Sequence, residues 1–293
     1  MSYLERIAEA NSADLREFRP FVVDGETLGA VSERFAAELA HWRETFSVSE
    51  ADVRLAPSLQ SAAEARRTRE VAAVTAALRD RGLITGWRDE LYAVSRRWGD
   101  RPRLLLERAA VPLFGVPGYG VHMNGYCEGA RGLELWVGRR ARNKPTDPGK
   151  LDQLVAGGQP ARYGLLENLV KECAEEAGIP AELARQARAA GVVTYAYGVE
   201  HRYRPDVLFV FDLLLPADFE PRNTDCEVEA FFRLPVLEVA ERVATTRTFK
   251  FNCALVVIDF LVRHGVIPPE HPDYVEIVGR LRAQRPLPPA RDR

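Results

Sequence analysis

The sequence predicts an α/β fold in which a mixed sheet lies between helices over residues 119–293, preceded by a smaller α+β domain over residues 1–118. Three observations carry this reading. Residues 157–179 read as an amphipathic helix with an acidic face. Apolar runs rich in β-branched and aromatic residues flank it at 121–126, 133–139, 192–197 and 206–214, the composition of strands in a buried sheet. Between the two halves, residues 111–120 carry Pro112, Gly115, Pro117 and Gly118, punctuation through which neither helix nor strand should continue.

The chain of 293 residues is 46% hydrophobic and 28% charged, an ordinary globular balance with room for a sizeable core. A net charge of -2 argues against a nucleic-acid binder with a basic surface and leaves a small molecule as the expected partner. Cys127, Cys173, Cys226 and Cys253 show no C-x-x-C spacing, so free thiols in a reducing, cytoplasmic compartment are expected rather than disulfides or zinc. Residues 3–10 begin as an amphipathic helix and lack the apolar run that secretion or membrane spanning needs. A homodimer is compatible with this composition.

In the first half, a strand ends over residues 21–24 and Gly25 turns the chain into a helix over about 28–46, with helical period at Val31, Phe35, Leu39 and Trp42. A second helix is expected over 61–83, then a strand over 90–95 whose hairpin partner is 104–108. Trp42, Trp87 and Trp98 read first as core residues, with a substrate ring stacked on Trp87 as the sharper alternative.

The most informative stretch is the acidic helix. Glu172, Glu175 and Glu176 stand at i, i+3 and i+4 and share one face, while Leu166, Leu169, Val170, Cys173 and Ala177 form an apolar back. The back should pack and the front should stay in water. Gly178 supplies the left-handed residue that ends the helix before Pro180, and Gly157 and Gly158 open the stretch as a flexible loop ahead of Pro160. Crowded like charges repel, and a hard divalent cation, Mg²⁺ or Mn²⁺, would relieve them while bridging to substrate phosphates. An E-x-x-E-E run alone is usually a solvated face; the combination of glycines, apolar back and acidic front is what raises it above that.

Around this helix, the polar loop RRARNKPTDPGKLDQ brings Arg139, Arg140, Lys144 and Lys150, either solvated or holding a diphosphate. In D-C-E-V-E-A-F-F, strand alternation places Asp225, Glu227 and Glu229 on one face and Val228, Ala230 and Phe232 on the other. Glu227 is the first candidate for a late-strand base and Glu229 the second, against the plain alternative of a solvent-facing edge. Helices follow over 235–244 and 253–262, the second preceded by Lys250, a further substrate-binding candidate, and the tail after Arg282 is rich in Pro and Arg and expected to be loose.

The frame from Gly157 to Ile179 resembles the Nudix box, G-x₅-E-x₇-R-E-U-x-E-E-x-G-U with U a bulky aliphatic residue. Glu172, Glu175, Glu176, Gly178 and Ile179 match; Tyr163 and Lys171 stand where the box has Glu and Arg. The resemblance implies an α/β/α sandwich and a hydrolase in which the three glutamates ligate Mg²⁺ or Mn²⁺ and a late-strand acid such as Glu227 or Glu229 serves as base. Glu167, four residues before Lys171, is expected to brace the helix in place of the usual pair. VHMNGY, PGKLDQLVAGGQP, RPDVLFVFDL, DCEVEAF and FKFNCALVVIDFLVRHG together resemble a Nudix branch associated with thiamine pyrophosphokinase that carries its own N-terminal domain. That resemblance implies hydrolysis of thiamine diphosphate, or its oxidised analogues, to the monophosphate and phosphate, with the N-terminal domain as recognition module. A nucleotide-sugar or dinucleotide pyrophosphatase and a non-catalytic ligand sensor are the rival readings.

Overall fold

A computed structural model describes residues 1–129, 132–144, 146–224, 226–283 and 285–288. Helix α1 (Tyr3–Ala10) opens the chain under a reciprocal cap, Ser2 Oγ accepting from Glu5 N and the Glu5 carboxylate accepting from Ser2 N. Strands β1 (Phe18–Val23) and β2 (Glu26–Ser32) follow as a hairpin turned by Asp24 and Gly25, at φ 51° and 80°. The helix expected over 28–46 therefore begins as a strand: Ser32 caps a shorter α2 (Glu33–Leu39), its Oγ accepting from Phe35 N at 3.2 Å. Gly29 explains the strand, because its missing side chain lets the backbone at Phe114 and Gly115 lie against β2. Strands β3 (Phe46–Val48) and β4 (Val53–Leu55) complete a sheet of order β2-β1-β4-β3.

Helix α3 (Glu64–Asp80) buries Val71, Val74 and Leu78 in the same core, and β5 (Leu91–Val94) pairs antiparallel with β6 (Leu104–Glu107), as expected. The punctuated stretch holds a helix after all. Pro112 sits in the first turn of α4 (Val111–Phe114), where its missing N–H costs nothing, and Gly115 at φ 57° ends it.

The second half is built on β7 (Tyr119–Gly129), β8 (Gly132–Arg140), β9 (Leu151–Gln153), β10 (Val155–Gly158), β11 (Arg188–Thr194), the hairpin β12 (Tyr197–Val199) and β13 (Arg202–Arg204), β14 (Val207–Leu214) and β15 (Val228–Pro235). The sheet runs β11-β14-β7-β8-β15, with β10 on β7 and β9 on β8; β14 and β7 are parallel and the other pairs antiparallel, so the sheet is mixed. Gly157 and Gly158 lie in β10, paired with Val121 and Gly120, rather than in a loop.

Alternation along β7 sends Val121 and Met123 to one face, where α5 (Leu165–Ala177) and α6 (Ala181–Ala184) pack with Leu169, Cys173 and Ala177. His122 and Asn124 point to the other face, covered by α7 (Val236–Thr245) and α8 (Phe251–Arg263), with α9 (Tyr274–Arg280) beyond. A fully buried leucine such as Leu169 is worth about 1.5–3 kcal/mol, so the apolar back of α5 is what fixes its acidic front against the sheet. The first helix also packs here: Ile7 and Ala10 of α1 join Val239, Leu255 and Ile277 rather than the strands that follow α1 in sequence. No described helix is long and apolar enough to cross a membrane.

Candidate active site

Helix α5 starts at Gly164, whose N–H is accepted by Glu167 Oε2 at 3.3 Å, and ends at Gly178 in the left-handed conformation, φ 63°, with Ile179 N–H returning to Cys173 O. Glu167 is thus a cap and does not brace Lys171. Lys171 Nζ instead lies 3.2 Å from Glu172 Oε1 and 2.6 Å from Glu175 Oε2, since i+4 geometry offers it the box carboxylate as readily as Glu167. The acidic front is not uniformly wet. The Glu175 side chain is 49% exposed, but that of Glu172 only 13%, and burial raises the Glu172 carboxyl pKa. Glu176 Oε2 accepts from Ala156 N–H at 2.7 Å, and its pKa is pushed up to about 8 by burial and by the nearby charges of Glu172, Asp152 and Glu227, against that bond.

Strand β10 is where these groups meet. A side chain at Gly157 would run into the Glu172 carboxyl, and one at Gly158 into the Tyr92 hydroxyl, with Arg108 Cζ 3.4 Å from its Cβ. Glycine at both positions lets acid and hairpin lie directly on the backbone from opposite faces. Tyr92 belongs to β5 and Arg108 follows β6; Ala161 N–H donates to Leu91 O at 2.8 Å, tying the hairpin to the loop after β10. Tyr92, Arg108, His122, Arg204, Asp206 and Asn252 line a polar cavity of about 120 Å³ between the two halves. Sequence reasoning missed them; the only signal was the pair Gly157 and Gly158, each marking a close approach.

The predicted cations divide. Arg140 Nη1 lies 2.8 Å from Asp152 Oδ2, Lys144 Nζ 2.6 Å from Glu227 Oε2, and Lys250 lines the cavity 3.8 Å from Asp152 Oδ2. Arg139 and Lys150 are not brought to the box: they line a separate groove with Arg142 and Arg242, because successive strand residues face opposite ways and Arg139 lies over the Phe232 ring. Glu227 and Glu229 do not share a face either. A bulge between Val228 and Ala230 breaks the alternation, so Glu227 pairs with Lys144 while Glu229 faces Arg142 at 3.8 Å. Burial raises the Glu227 carboxyl but the Lys144 bond outweighs it and holds the pKa below its ordinary value. Asp225 lies outside the described residues. Trp87 does not line the cavity: it packs on the first core, donates to Asp89 Oδ1 at 2.8 Å and carries Arg79 over its ring.

Two groups compete as the place for a metal. Among the described residues, His122, Asp152 and Cys253 bring ligand atoms within 4.8 Å of one another. Their chemistry does not suit an ion, since the Cys253 thiol donates to Asp152 Oδ1 at 2.5 Å and Asp152 is already neutralised by Arg140 and Lys250. Glu172, Glu175 and Glu176 offer only oxygens, the donors a hard divalent cation takes, and Lys171 Nζ sits between two of these carboxylates, although among the described residues their ligand atoms are not drawn together as those of the first group are.

Residues 2–118 match a family described only as a domain of unknown function, DUF4743. Over 289 residues the chain is 44% identical to Nudix hydrolase 20, chloroplastic, of Arabidopsis thaliana, covering 96% of this chain and 77% of that relative. It is 43% identical to Nudix hydrolase 24, chloroplastic, of the same plant, with the same coverage. Among solved structures, the NUDIX domain of Shewanella oneidensis NrtR complexed with ADP ribose matches 52% of this chain and 90% of its own, with 13% identity and a TM-score of 0.41.

Proposed function

The chain belongs to the Nudix hydrolase family, and from that premise we propose that its substrate is thiamine diphosphate or an oxidised analogue, hydrolysed to the monophosphate and inorganic phosphate. Pyrophosphate hydrolysis is the family's general reaction; the narrower substrate rests on the segments 121–126, 148–160, 204–213, 225–231 and 249–265, which together resemble the branch associated with thiamine pyrophosphokinase. The observation that carries the site is that Glu172 and Glu176 are half-buried against β10 with few internal cations to balance them.

Nudix hydrolases use divalent metal ions, and here Glu172, Glu175 and Glu176 would hold Mg²⁺ or Mn²⁺. Such an ion supplies Lewis acidity that neutralises phosphate oxygens and makes water easier to deprotonate. Glu227, kept ionised by Lys144, is the acceptor for the proton that water loses as its oxygen bonds to phosphorus and the bridging P–O bond breaks. Glu229, turned toward Arg142, is the weaker candidate. Lys250 lines the cavity and offsets phosphate charge, while Arg140 is held by Asp152 and Thr146. Four free cysteines support a reducing compartment; the two plant relatives are named chloroplastic, and a cytoplasmic location stays part of the proposal.

The test is initial rates with Mg²⁺ and with Mn²⁺ on thiamine diphosphate, oxythiamine diphosphate, ADP-ribose, NADH and a nucleotide sugar. A thiamine-type diphosphate should be turned over fastest. Faster hydrolysis of ADP-ribose or NADH would sink the substrate assignment and leave the metal chemistry standing.

A further inference from the structure

We propose that the N-terminal unit, which matches a family without an assigned function, completes the hydrolytic site by holding the substrate's phosphates with Arg108 and Arg88. The inference rests on the diphosphate-hydrolase reading above and adds groups that neither the box nor its flanking loops contain.

The free edge of β10 is the meeting point. Glu176 takes the outward N–H of Ala156, Glu172 presses on Gly157 from one face, and the β5–β6 hairpin presses on Gly158 from the other. A phosphate lying along that edge would have box carboxylates below it and the hairpin above it. The hairpin presents Arg108 there. Nη1 of Arg108 donates to Glu90 Oε2 at 2.9 Å, while Nε and Nη2 donate to no described residue. A guanidinium anchored at one corner with its remaining donors unspent is the fork that matches two phosphate oxygens. Its pair with Glu90 is exposed and contributes little to stability, and the guanidinium lies over the Tyr92 ring, 6.0 Å from the centroid, on the hairpin that presses on Gly158.

Arg88 belongs to the same unit, just before β5. Its backbone is fixed by Glu107 Oε1 at 2.9 Å, its guanidinium is exposed with no partner among the described residues, and its charge acts on Glu227. Arg108 acts in the same way on Glu172. The hairpin thus brings Arg108 to the edge of an acidic site, where a metal-bound diphosphate would carry excess negative charge, and Arg88 adds a second charge from the segment before it.

The experiment uses the full chain with Mg²⁺ and measures inorganic pyrophosphate binding by calorimetry, which needs no turnover, together with KM and kcat on whichever of thiamine diphosphate and ADP-ribose reacts faster. Arg108→Ala should weaken pyrophosphate and raise KM by about tenfold or more, with kcat changed far less. Arg108→Lys, which keeps the charge and loses the fork, should fall between; Arg88→Ala should act in the same direction with a smaller effect. Gly158→Ala should reproduce the Arg108→Ala defect with both arginines present, by lifting the hairpin off the strand. If Arg108→Ala melts like the wild type and binds pyrophosphate as tightly, the inference is wrong, whatever the substrate. If instead the wild type hydrolyses neither compound yet Arg108→Ala still loses pyrophosphate, the substrate reading fails and the phosphate-holding role survives.

Discussion

Two carboxylates, Asp152 buried on β9 and Glu176 half-buried on α5, meet opposite fates. Both Asp152 and Glu176 lose water on folding, which by itself raises a carboxyl pKa. Asp152 is met by Lys250 and Arg140, and also accepts from Gln153 N–H and the Cys253 thiol, so it is held down to about 2. Glu176 receives one backbone N–H and faces Glu172, Asp152 and Glu227, so it is pushed up to about 8. The first cluster is electrostatically closed. The second is short of positive charge, which is the property a cation site must have, and the difference comes from which residues face each acid rather than from burial itself.

The comparison breaks most directly at Asp152. Asp152→Asn leaves Arg140 and Lys250 without their carboxylate and should destabilise the protein by about 3–5 kcal/mol, read as a lower melting temperature. A variant as stable as wild type would show that the closed cluster is not a structural ion pair. Glu176→Gln should do the reverse. It removes an unbalanced acid, so melting at neutral pH without metal should not fall, while kcat drops by at least about a hundredfold, beyond the loss typical of a metal's outer partners. Near wild-type turnover at saturating Mg²⁺ would take Glu176 out of the mechanism.

How much of this the sequence discloses follows from the range of each interaction. The helix 165–177, its glycine stop and its three glutamates are local, set by spacing within a few residues, and the strands around it are apolar runs that need no partner to be recognised. Arg108, Tyr92 and Arg88 are invisible because nothing near residue 108 says that Gly158 will lie beneath it; that pairing is made by the fold. The same limit explains Glu229. Alternation is a valid rule until a bulge inserts a residue, and the bulge at 228–230 is set by pairing with β8. Nor does the sequence near Trp87 disclose that Arg79, eight residues earlier on α3, covers its ring.

A smaller effect follows from the pH dependence of the open cluster. Glu176, with a folded pKa of about 8 against an ordinary 4.5, keeps a proton that the unfolded chain has released. Between about pH 4.5 and 8 the unfolded state therefore binds fewer protons, and the metal-free protein should lose stability as pH rises through that window. A divalent ion replaces that proton, so Mn²⁺ affinity should climb with pH over the upper part of the window, by at most about tenfold per unit for one proton released. Melting curves at several pH values with EDTA and with Mn²⁺ test both halves. Metal-free stability that is flat or rising from pH 5 to 8, or Glu176→Gln showing the same slope as wild type, would remove Glu176 as the source.

The smallest effect belongs to Lys171, the cation lying between Glu172 and Glu175, and there the sign matters more than the size. If Lys171 were to the box what Lys250 is to Asp152, its removal would loosen the acids and weaken metal binding. The geometry favours competition instead, since its ammonium lies between two of the oxygens an ion would take. An exposed helical pair of this kind is worth about 0.3–0.5 kcal/mol, so Lys171→Gln should tighten Mn²⁺ by only about twofold, measured by calorimetry at fixed pH and salt. Glu167→Ala is the control, because Glu167 caps the helix at Gly164 and touches none of the box carboxylates. It should lower melting slightly, by about 0.5–1 kcal/mol for a lost cap, and leave Mn²⁺ affinity unchanged. Weaker Mn²⁺ binding in Lys171→Gln, with Glu167→Ala unaffected, would make the lysine a brace for the acids and place the box electrostatically nearer to the Asp152 cluster.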